Sequence, residues 1–306
     1  MTDEELPELP RGIALAWGVA ANPQRGPKRE MSVERIVEAA VELADADGIG
    51  AVSMAAVAAS LGFTPMSLYR YVSAKDDLLL LMQEEATGIP PEEHREHDGW
   101  RDRLRALFEA QVLIYLRHPW ILALPITGSP ITPNSSAWIE AGLEALAETP
   151  LTESERLAVA LAMTGQARWY GMVLAGYSEQ ARISGLTADE VSARESALFD
   201  RVISADEYPH LRRAIDAGVF VDQQDPFRFA TERLLDGVAM YIDALGRGEG
   251  HAPVQEWLEI DRVELGGDKK YREAQKAVRE AEKALRVARK LERQALRDAR
   301  ERLARS

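Results

Sequence analysis

Two short helical patterns separated by one glycine constrain the fold of this chain more than any other feature. Ser53 opens the first pattern, whose apolar residues recur at helical spacing until Gly62. Thr64-Pro65 restarts a helix at once, because threonine caps helices and proline is tolerated at the first position. Close crossing of the two helices needs a small residue, supplied by Ala58, and the tight turn needs the positive φ that Gly62 tolerates. With Leu68 as the apolar anchor of the second helix, the spacing predicts a helix-turn-helix.

The second helix of such a motif has a face that is free to enter the major groove of DNA. The residues on that face and in its first turn are Thr64, Pro65, Met66, Ser67, Tyr69 and Arg70. The pattern therefore favours a protein that reads DNA.

The run from Gly62 to Leu78, GFTPMSLYRYVSAKDDL, resembles the signature of the tetracycline-repressor (TetR) family. It has the glycine turn, a short recognition helix with Leu-Tyr, an aromatic residue two positions after that tyrosine, and a lysine that opens the next helix. The likeness extends over roughly 32–82, through a helix ended by Asp47-Gly48 and the run Val52-Ser53-Met54. It implies an all-α DNA-binding transcriptional regulator.

The resemblance also implies a role for each residue that matches the motif. Hydroxyls would bond to bases and apolar groups would pack on thymine methyls at Thr64, Pro65, Met66 and Ser67. Contacts to sugar or phosphate are implied for Ser53, Tyr69, Tyr71 and Lys75, with Arg70 on a base or a phosphate. Two alternatives without a DNA contact stay open: Tyr71 could be a core aromatic residue, and Lys75 could be an ordinary solvated side chain.

One position departs from the family pattern. Ala55 stands where some relatives carry an arginine that reads guanine, so that contact is missing.

Residues 1–31, with four prolines and no sustained periodicity, are predicted to form a flexible, irregular arm. Its basic residues Arg25, Lys28 and Arg29 could reach phosphates or the minor groove, or simply keep the arm soluble.

The remaining chain is predicted to be helical throughout, with no convincing strand alternation. We expect a three-helix DNA-binding domain over 32–85, in which Ser73 and Asp76 cap the third helix, and a break over 86–99. A regulatory and dimerisation domain follows over 98–250. Its expected helices are 100–117, 119–124, 134–148, 152–183, 187–204, 207–217 and 225–246.

The resemblance continues more loosely through His118-Pro119-Trp120, the helix at Trp138 and the segment from Asp225 to Ile242. It implies that the helices 152–183 and 225–246 pair with their twofold mates, which makes a homodimer. The apolar stripe of the second is Phe227, Ala230, Leu234, Leu235, Val238 and Tyr241. A dimer would also read a palindromic operator, because one short helix reads too few bases to be specific.

A small-molecule effector, apolar or aromatic in character, would bind among the core helices of the regulatory domain. The candidate residues are Trp120, Trp138, Met163, Gln166, Trp169, Tyr170, Met172 and Tyr177. Each one taken singly could equally be an ordinary core residue. Gln166 and Tyr170, one helical turn apart, form the pair of first interest.

Composition excludes several classes of function. The 306 residues contain no cysteine, so thiolate zinc sites, iron–sulfur clusters and thiol nucleophiles are excluded. The five histidines form no tight pair, and no nucleophile–base pair or phosphate loop has the required spacing. We therefore expect no cofactor, no metal and no enzymatic activity. With no membrane-length apolar run and an acidic N-terminus, a cytoplasmic protein is expected.

Charge is distributed unevenly along the chain. The net charge is −13, but the segment 268–306 carries +7, which leaves −20 for residues 1–267. This segment is rich in Ala, Arg, Lys, Glu and Leu and lacks Gly and Pro, so it is predicted to form a basic, Ala-rich helical tail. Its apolar stripe is mostly alanine, so any coiled coil would be thin.

The sequence as a whole favours a repressor that a small-molecule effector releases from a palindromic operator. Two alternatives remain open. The first is a constitutive DNA-binding protein without an effector, and the second is an interaction protein that acts through its tail.

Overall fold

A computed structural model describes residues 9–19, 31–126, 131–220, 225–252 and 268–304, and within these residues it contains helices and turns but no strand. The arm residues Arg25, Lys28 and Arg29 lie outside the described residues. The chain divides into two compact units, 1–249 and 250–306. The α-helices are α1 Arg11–Ala16, α2 Val33–Asp47, α3 Met54–Ser60, α4 Pro65–Tyr69, α5 Lys75–Thr87, α6 Gly99–Arg117, α7 Pro133–Ala145, α8 Glu153–Ser184, α9 Ala188–Val202, α10 Pro209–Asp216, α11 Pro226–Gly246 and α12 Lys269–Ala304.

The segment 1–31 is not wholly irregular, so that prediction was wrong over residues 11–16. The short helix α1 packs against α5. Gly12 lies so close to α5 that a Cβ at this position would be 2.9 Å from a carboxylate oxygen of Asp77. The indole nitrogen of Trp17 donates a hydrogen bond to the carbonyl of Ile131 at 2.7 Å. The local sequence gave no signal for α1, because tertiary contacts rather than a repeating apolar pattern hold so short a helix.

The helices α2 to α5 enclose the core of the DNA-binding domain. Ser32 caps α2 by accepting a hydrogen bond from the amide of Arg35, and Gly48 ends it with a φ of 80°. The fully buried side chains at the centre of this core come from all four helices and the turns between them. They include Ile36, Val57, Leu68, Val72, Leu78 and Met82.

The start of α5 differs from the prediction. Ser73 does not cap this helix: α5 begins at Lys75, and the N-cap position is Ala74, which makes no side-chain bond. The hydroxyl of Ser73 instead donates to a carboxylate oxygen of Asp77 at 2.9 Å. The short arm of an aspartate at position 76 does not close a capping box here. At its other end α5 continues to Thr87, into the segment predicted as a break.

The regulatory part of the first unit is built on α8, which packs against α6, α7 and α11. Thr152 and Glu155 form the capping box that starts α8. Close packing of α6 on α8 needs a glycine at 171, because a Cβ there would lie 2.7 Å from the Cβ of Tyr115. The expected helix at 119–124 is a short 3-10 turn over Pro119–Ala123, and a further 3-10 turn covers Glu92–Glu96.

The apolar stripe predicted for α11 faces mainly into the protomer. Leu235 is fully buried in the regulatory core, and Leu234, Val238 and Tyr241 pack against that core. The opposite face of α11 is the exposed one and carries Ala230, Arg233, Gly237 and Met240. The expected stripe therefore stabilises the single chain, and any partner must use the other face.

An ion-pair cluster fixes α11 on α6. The guanidinium groups of Arg101 and Arg105 both donate to the carboxylate of Glu232, at 2.7 and 2.6 Å. Arg101 also reaches Asp236 at 2.5 Å. These bonds lower the pKa of Glu232 to about 2, with the hydrogen bond from Arg105 as the largest cause. The cluster therefore ties the two helices together at neutral pH.

Candidate nucleic-acid interface and sensor core

The turn of the helix-turn-helix has the geometry that its sequence predicts. Gly62 adopts a φ of 76° between α3 and α4, and the amide of Phe63 donates to the carbonyl of Ala58 at 2.8 Å. Ala58 and Leu68 are both fully buried where the two helices cross. Pro65 occupies the first turn of α4, and Thr64 precedes it. The core thus holds one side of α4 and leaves the other side free.

The free side of α4 presents the candidate base-reading residues to solvent. Met66 is 74% exposed, Tyr69 is 45% exposed, and Thr64, Pro65 and Arg70 are exposed as well. Ser67 is half-buried, and its hydroxyl lies 3.0 Å from that of Thr64. Two hydroxyls, a thioether and a phenol thus lie on the free side of α4, a combination that can make hydrogen bonds and apolar contacts to base edges.

The candidate phosphate contacts flank that surface. Lys75 is exposed at the first position of α5, where the free amides of the helix N-terminus favour an anion. Ser53 is exposed, and its hydroxyl oxygen accepts from the amide of Ala56, which leaves the hydroxyl hydrogen available to a phosphate. Tyr71 is half-buried and packs against the core, so the packing role is the one visible in the protomer. Ala55 is exposed on α3 and offers no reading side chain.

A carboxylate joins the DNA-binding domain to the regulatory domain. One oxygen of Asp45, near the end of α2, lies 2.8 Å from Nδ1 of His118 and accepts a hydrogen bond of 2.7 Å from the indole nitrogen of Trp120. On the other side, the guanidinium of Arg168 in α8 donates to the carbonyls of Leu122 and Leu124, both at 3.1 Å. The segment 118–124 is therefore held between the reading helices and the central helix of the sensor.

A second joint connects α5 to α7. Glu84 accepts hydrogen bonds from the backbone amide and the side-chain amide of Asn134, the first through its carboxylate and the second through its carbonyl. The indole of Trp138 donates to the carbonyl of Gly88 at 3.0 Å. Because α5 follows the recognition helix α4 directly, this second joint can carry a displacement of the regulatory domain to α4.

The sensor core contains an aromatic stack that includes one predicted ligand residue. The ring of Tyr170 in α8 stacks on Phe227 of α11 at 4.7 Å and on Phe108 of α6 at 6.2 Å. Its hydroxyl donates to a carboxylate oxygen of Asp225 at 2.5 Å. Burial first, and then the bond to Asp225, raises the pKa of Tyr170 to about 12. A neutral phenol is therefore fixed where three helices meet.

A polar pair that the sequence analysis missed lies between the same helices. The side-chain nitrogen of Gln111 in α6 donates to the hydroxyl of Thr164 in α8 at 3.3 Å, and the amide oxygen of Gln111 is buried without a partner. Either orientation of this side-chain amide leaves one of its two polar atoms unpaired. Gln111 continues the apolar spacing of Leu104, Leu107 and Phe108, and a polar residue on such a stripe was the available signal.

The other predicted ligand residues do not gather at one place. Trp138 and Met163 are buried in the regulatory core, and Gln166 is half-buried. Trp120 lies in the core of the DNA-binding domain, and the hydroxyl of Tyr177 donates to Glu195 of α9. Trp169 and Met172 are 55% and 42% exposed, although the ring of Trp169 also lies 6.4 Å from that of Phe227 at the edge of the aromatic stack. The structure thus separates the candidates into a core, a domain joint and an outer face.

The exposed face of α8 carries small and apolar residues. Residues at successive helical turns leave it open to solvent, namely Ala158, Leu161, Gly165, Trp169, Met172 and Gly176 on α8. The exposed side of α11 adds Met240, which is 72% exposed, and Gly237 and Ala230, with Arg233 among them. This outer face is named here the paired-helix face.

Family models match both parts of the first unit. The model described as "Bacterial regulatory proteins, tetR family" matches residues 36–82, and "Tetracyclin repressor-like, C-terminal domain" matches residues 91–242. An HTH-type transcriptional repressor, DrrR1, of Streptomyces coeruleorubidus is 32% identical over 244 residues, which cover 79% of this chain and 89% of DrrR1. The chain belongs to the TetR family. It is therefore a DNA-binding transcriptional regulator of a family whose members act as dimers, respond to small molecules and are not enzymes.

Other relatives of this TetR-family regulator agree with the fold. An HTH-type transcriptional regulator of Saccharopolyspora erythraea is 32% identical over 200 residues, covering 64% of this chain and 84% of the relative. The solved structure of apo ActR from Streptomyces coelicolor superposes with a TM-score of 0.59 at 18% identity, over 72% of this chain and all of ActR. ActR has also been solved in complex with actinorhodin, with a TM-score of 0.53 and 20% identity over 70% of this chain and 98% of that one.

Neither a membrane span nor a metal cluster is found in the part of the chain that the structure describes. None of the helices described is both long and apolar enough to cross a membrane. The same residues contain no group of three or more His, Asp or Glu side chains placed to hold a metal ion.

Proposed function

We propose that this TetR-family protein is a repressor that binds a palindromic operator as a homodimer and leaves it when an apolar or aromatic effector binds the regulatory domain. The observation that carries the proposal is the surface of α4. It is anchored by the fully buried Leu68 and exposes Met66 and Tyr69 beside Lys75 at the start of α5. The name of the repressor DrrR1, of which 89% is covered at 32% identity, supports repression.

The proposed contacts to the operator fall into two groups, those to base edges and those to the sugar–phosphate backbone. Thr64, Pro65, Met66 and Ser67 contact base edges, and hydroxyls and apolar groups suit adenine–thymine pairs through their acceptors and the thymine methyl. Ser53, Tyr69, Tyr71 and Lys75 contact the sugar–phosphate backbone and fix the register, with Arg70 on a base or a phosphate. Because Ala55 makes no contact, specificity rests on α4 and on any contacts from Arg25, Lys28 and Arg29.

The effector site lies between α6, α8 and α11. Its polar contacts are the unpaired amide atom of Gln111, the hydroxyl of Thr164 and the hydroxyl of Tyr170, and Trp138 and Met163 belong to the same buried core. Gln166 lies on the same helix. The structures of ActR with actinorhodin and with (S)-DNPA support a small molecule as the effector. Effector binding that moves α8 would move Arg168, and with it the segment that Asp45 holds.

Pairing of two chains through the paired-helix face makes the homodimer. Its glycines and alanines let the helices of two protomers approach closely, and Trp169 and Met172 supply apolar area. Trp169 and Met172 then belong to the interface rather than to the effector site. Two recognition helices about 34 to 36 Å apart would read the half-sites of a palindrome.

The DNA sequence that the protein selects tests the reading role. Full-length protein would be used to select duplexes from a random pool, and we expect a palindrome whose half-sites are about 10 base pairs apart, centre to centre. Lys75→Gln should weaken binding to a similar degree on the palindrome and on duplexes of other sequence. Thr64→Ala should instead relax the base preference at one position of each half-site. Arg117→Gln, which removes an exposed charge from α6, is the matched control. A pool that stays random would refute the proposal.

Release by small molecules tests the sensor role separately. Wild-type protein bound to its selected operator would be titrated with actinorhodin and with a panel of other aromatic small molecules. At least one should release the operator, and the concentration needed should rise in the double variant Gln111→Leu, Tyr170→Phe. If the operator stays bound throughout the panel, the constitutive DNA-binding protein is the better description.

A further inference from the structure

The basic residues of the tail helix lie on one side of it. Within α12, ten Lys/Arg follow one another at alternating intervals of three and four residues. Positions three and four apart share one face of a helix, and this repeat drifts by only about 20° per heptad. We name this set the basic stripe: Lys269, Arg272, Lys276, Arg279, Lys283, Arg286, Lys290, Arg293, Arg297 and Arg300.

The other positions of α12 sharpen this pattern. Alanine recurs at every seventh position on the side away from the stripe, at 274, 281, 288 and 295. Only three other Lys/Arg occur in the helix, and no Asp or Glu occupies a stripe position. Lys276 lies 3.9 Å from Glu280, whereas no carboxylate of the described part of α12 lies within ion-pair distance of Arg279, Lys283 or Arg286. These exposed cations are available to an external anion.

The rest of the chain lacks the charge that such a regulator needs. Residues 1–267 carry −20, and even the segment from Asn22 to Lys75, which includes the basic arm residues, holds six basic and six acidic residues and so has no net positive charge. Duplex DNA carries one negative charge per about 1.7 Å of its axis, and cationic side chains supply the sequence-independent part of binding. In this chain the net positive charge, +7, is concentrated in residues 268–306.

We propose that the basic stripe of α12 is a second DNA-binding surface, which contacts the phosphates of the duplex beside the operator while α4 reads the bases. The inference rests on the proposed function and adds to it a contact that the family match, which ends at residue 242, does not include. At about 1.5 Å per residue the helix is about 54 Å long, enough to follow many phosphates.

An anionic membrane is the main competing occupant, and the apolar side of α12 argues against it. Membrane-surface helices bury Trp, Phe and Leu on one face. Here that face is mostly alanine, with only Tyr271, Val278 and Leu285 as larger apolar residues in the same register, and the helix contains no Trp or Phe. Such a face gives little apolar burial in a bilayer, whereas phosphate contacts need none.

Two variants of the full-length protein test the proposal. The first, R279Q/K283Q/R286Q, removes three charges from the basic stripe. The second, K270Q/R302Q, removes the two charges of α12 that are not three or four residues from any stripe position, and serves as the control. Glutamine has a similar helix propensity to lysine and arginine, and circular dichroism would check that helicity is kept. Affinity would be measured from about 50 to about 300 mM KCl on the selected operator and on a scrambled duplex of the same length.

The stripe variant should lower the slope of log affinity against log salt by about 2 to 3, because each lost phosphate contact removes about 0.9. At about 0.1 M salt its affinity should fall by roughly tenfold or more, equally on both duplexes. The control should change the slope by less than about 1. Equal slopes in the two variants, no change in either, or tighter binding in the stripe variant would overturn the proposal. So would loss of binding to phosphatidylglycerol vesicles with DNA binding unchanged.

Failure of the proposed function gives a different result. A wild-type protein that does not prefer its selected operator to the scrambled duplex would refute operator reading. The slopes on the scrambled duplex would still decide whether the stripe binds phosphates.

Discussion

Gly62 shows how one backbone angle supports the whole reading surface. Its φ of 76° lies in the left-handed region, which only glycine enters without strain, and it directs α4 across α3. No atom lies within 4 Å of the place where a Cβ would stand, so the restriction is conformational rather than steric. At the same scale, the unpaired amide atom of Gln111 and the phenol of Tyr170 are single groups that give the sensor core its polarity.

Gly62→Ala should destabilise the protein by about 1 kcal/mol, because alanine must adopt a positive φ there. Chemical denaturation would measure the loss, and operator affinity should fall with it as α4 shifts. Gly50→Ala is the control: Gly50 has no positive φ and its Cβ would also meet open space. Equal stability of the two variants would mean that the turn tolerates alanine.

Pairs of helices depend on a few charged contacts as well as on apolar packing. The best defined is the cluster of Arg101 and Arg105 on α6 with Glu232 on α11. It holds α11 by the face that is turned toward α6, which leaves the paired-helix face outside. Between the domains, Asp45 plays a similar part for α2 and the segment 118–124. Both contacts predict effects that are specific to one helix pair.

The Glu232 cluster should make stability depend on acid pH. The folded-state pKa of about 2 lies below the ordinary value of 4.5, so the stabilisation is present above about pH 4.5 and is lost as the pH falls toward 2. Glu232→Gln should lower the stability at pH 7 by about 1 to 2 kcal/mol and flatten this part of the pH profile. The exposed Glu148→Gln is the control. A variant that keeps the wild-type profile from pH 4.5 down to 2 would show that other groups cause it.

Removal of the Asp45 carboxylate should loosen the joint between the domains. Asp45→Ala leaves the buried indole nitrogen of Trp120 without an acceptor, which costs about 1 to 3 kcal/mol. Hydrogen exchange should accelerate in α2 and in 118–124, and Asp45→Asn, which keeps an acceptor oxygen, should restore most of the protection. Asp47→Ala, two residues further along α2, is the control. Unchanged exchange in Asp45→Ala would show that apolar packing alone holds the joint.

The whole molecule is organised around a division of charge and of surface. The −20 of residues 1–267 disfavours nonspecific adhesion to DNA, and the +7 of residues 268–306 favours it. Pairing through the paired-helix face, as proposed, would give the protein the twofold symmetry that a palindromic operator requires. Neither property belongs to a single residue or helix.

Trp169→Glu should separate the homodimer, because it places a charge in the apolar centre of the paired-helix face. Analytical ultracentrifugation should show a monomer, and operator affinity should fall by at least about tenfold because only one half-site is then held. Leu113→Glu on α6, where the side chain is 63% exposed, is the matched control. A dimeric Trp169→Glu protein would show that another surface pairs the chains.

The sequence by itself determined the features that depend on local chemistry. Ser32, Gly62 and Pro65 mark helix ends and a turn by backbone preferences that act within a few residues, so the helix-turn-helix and its outward residues could be read directly. The fold of the regulatory domain was predicted from the resemblance to the TetR family rather than from local chemistry. The nine DNA-contact roles remain predictions, since the structure places those side chains but contains no DNA.

Only the tertiary structure decided the features that depend on which faces meet. In the structure the apolar stripe of α11 faces inward, and α1 is held by its packing on α5. Trp120 lies at the joint between the domains, and Trp169 lies on the outer face. Periodicity identifies an apolar face but does not say whether a core, a neighbouring domain or a partner covers it. That choice depends on the simultaneous packing of several distant helices, which no local stretch of sequence specifies.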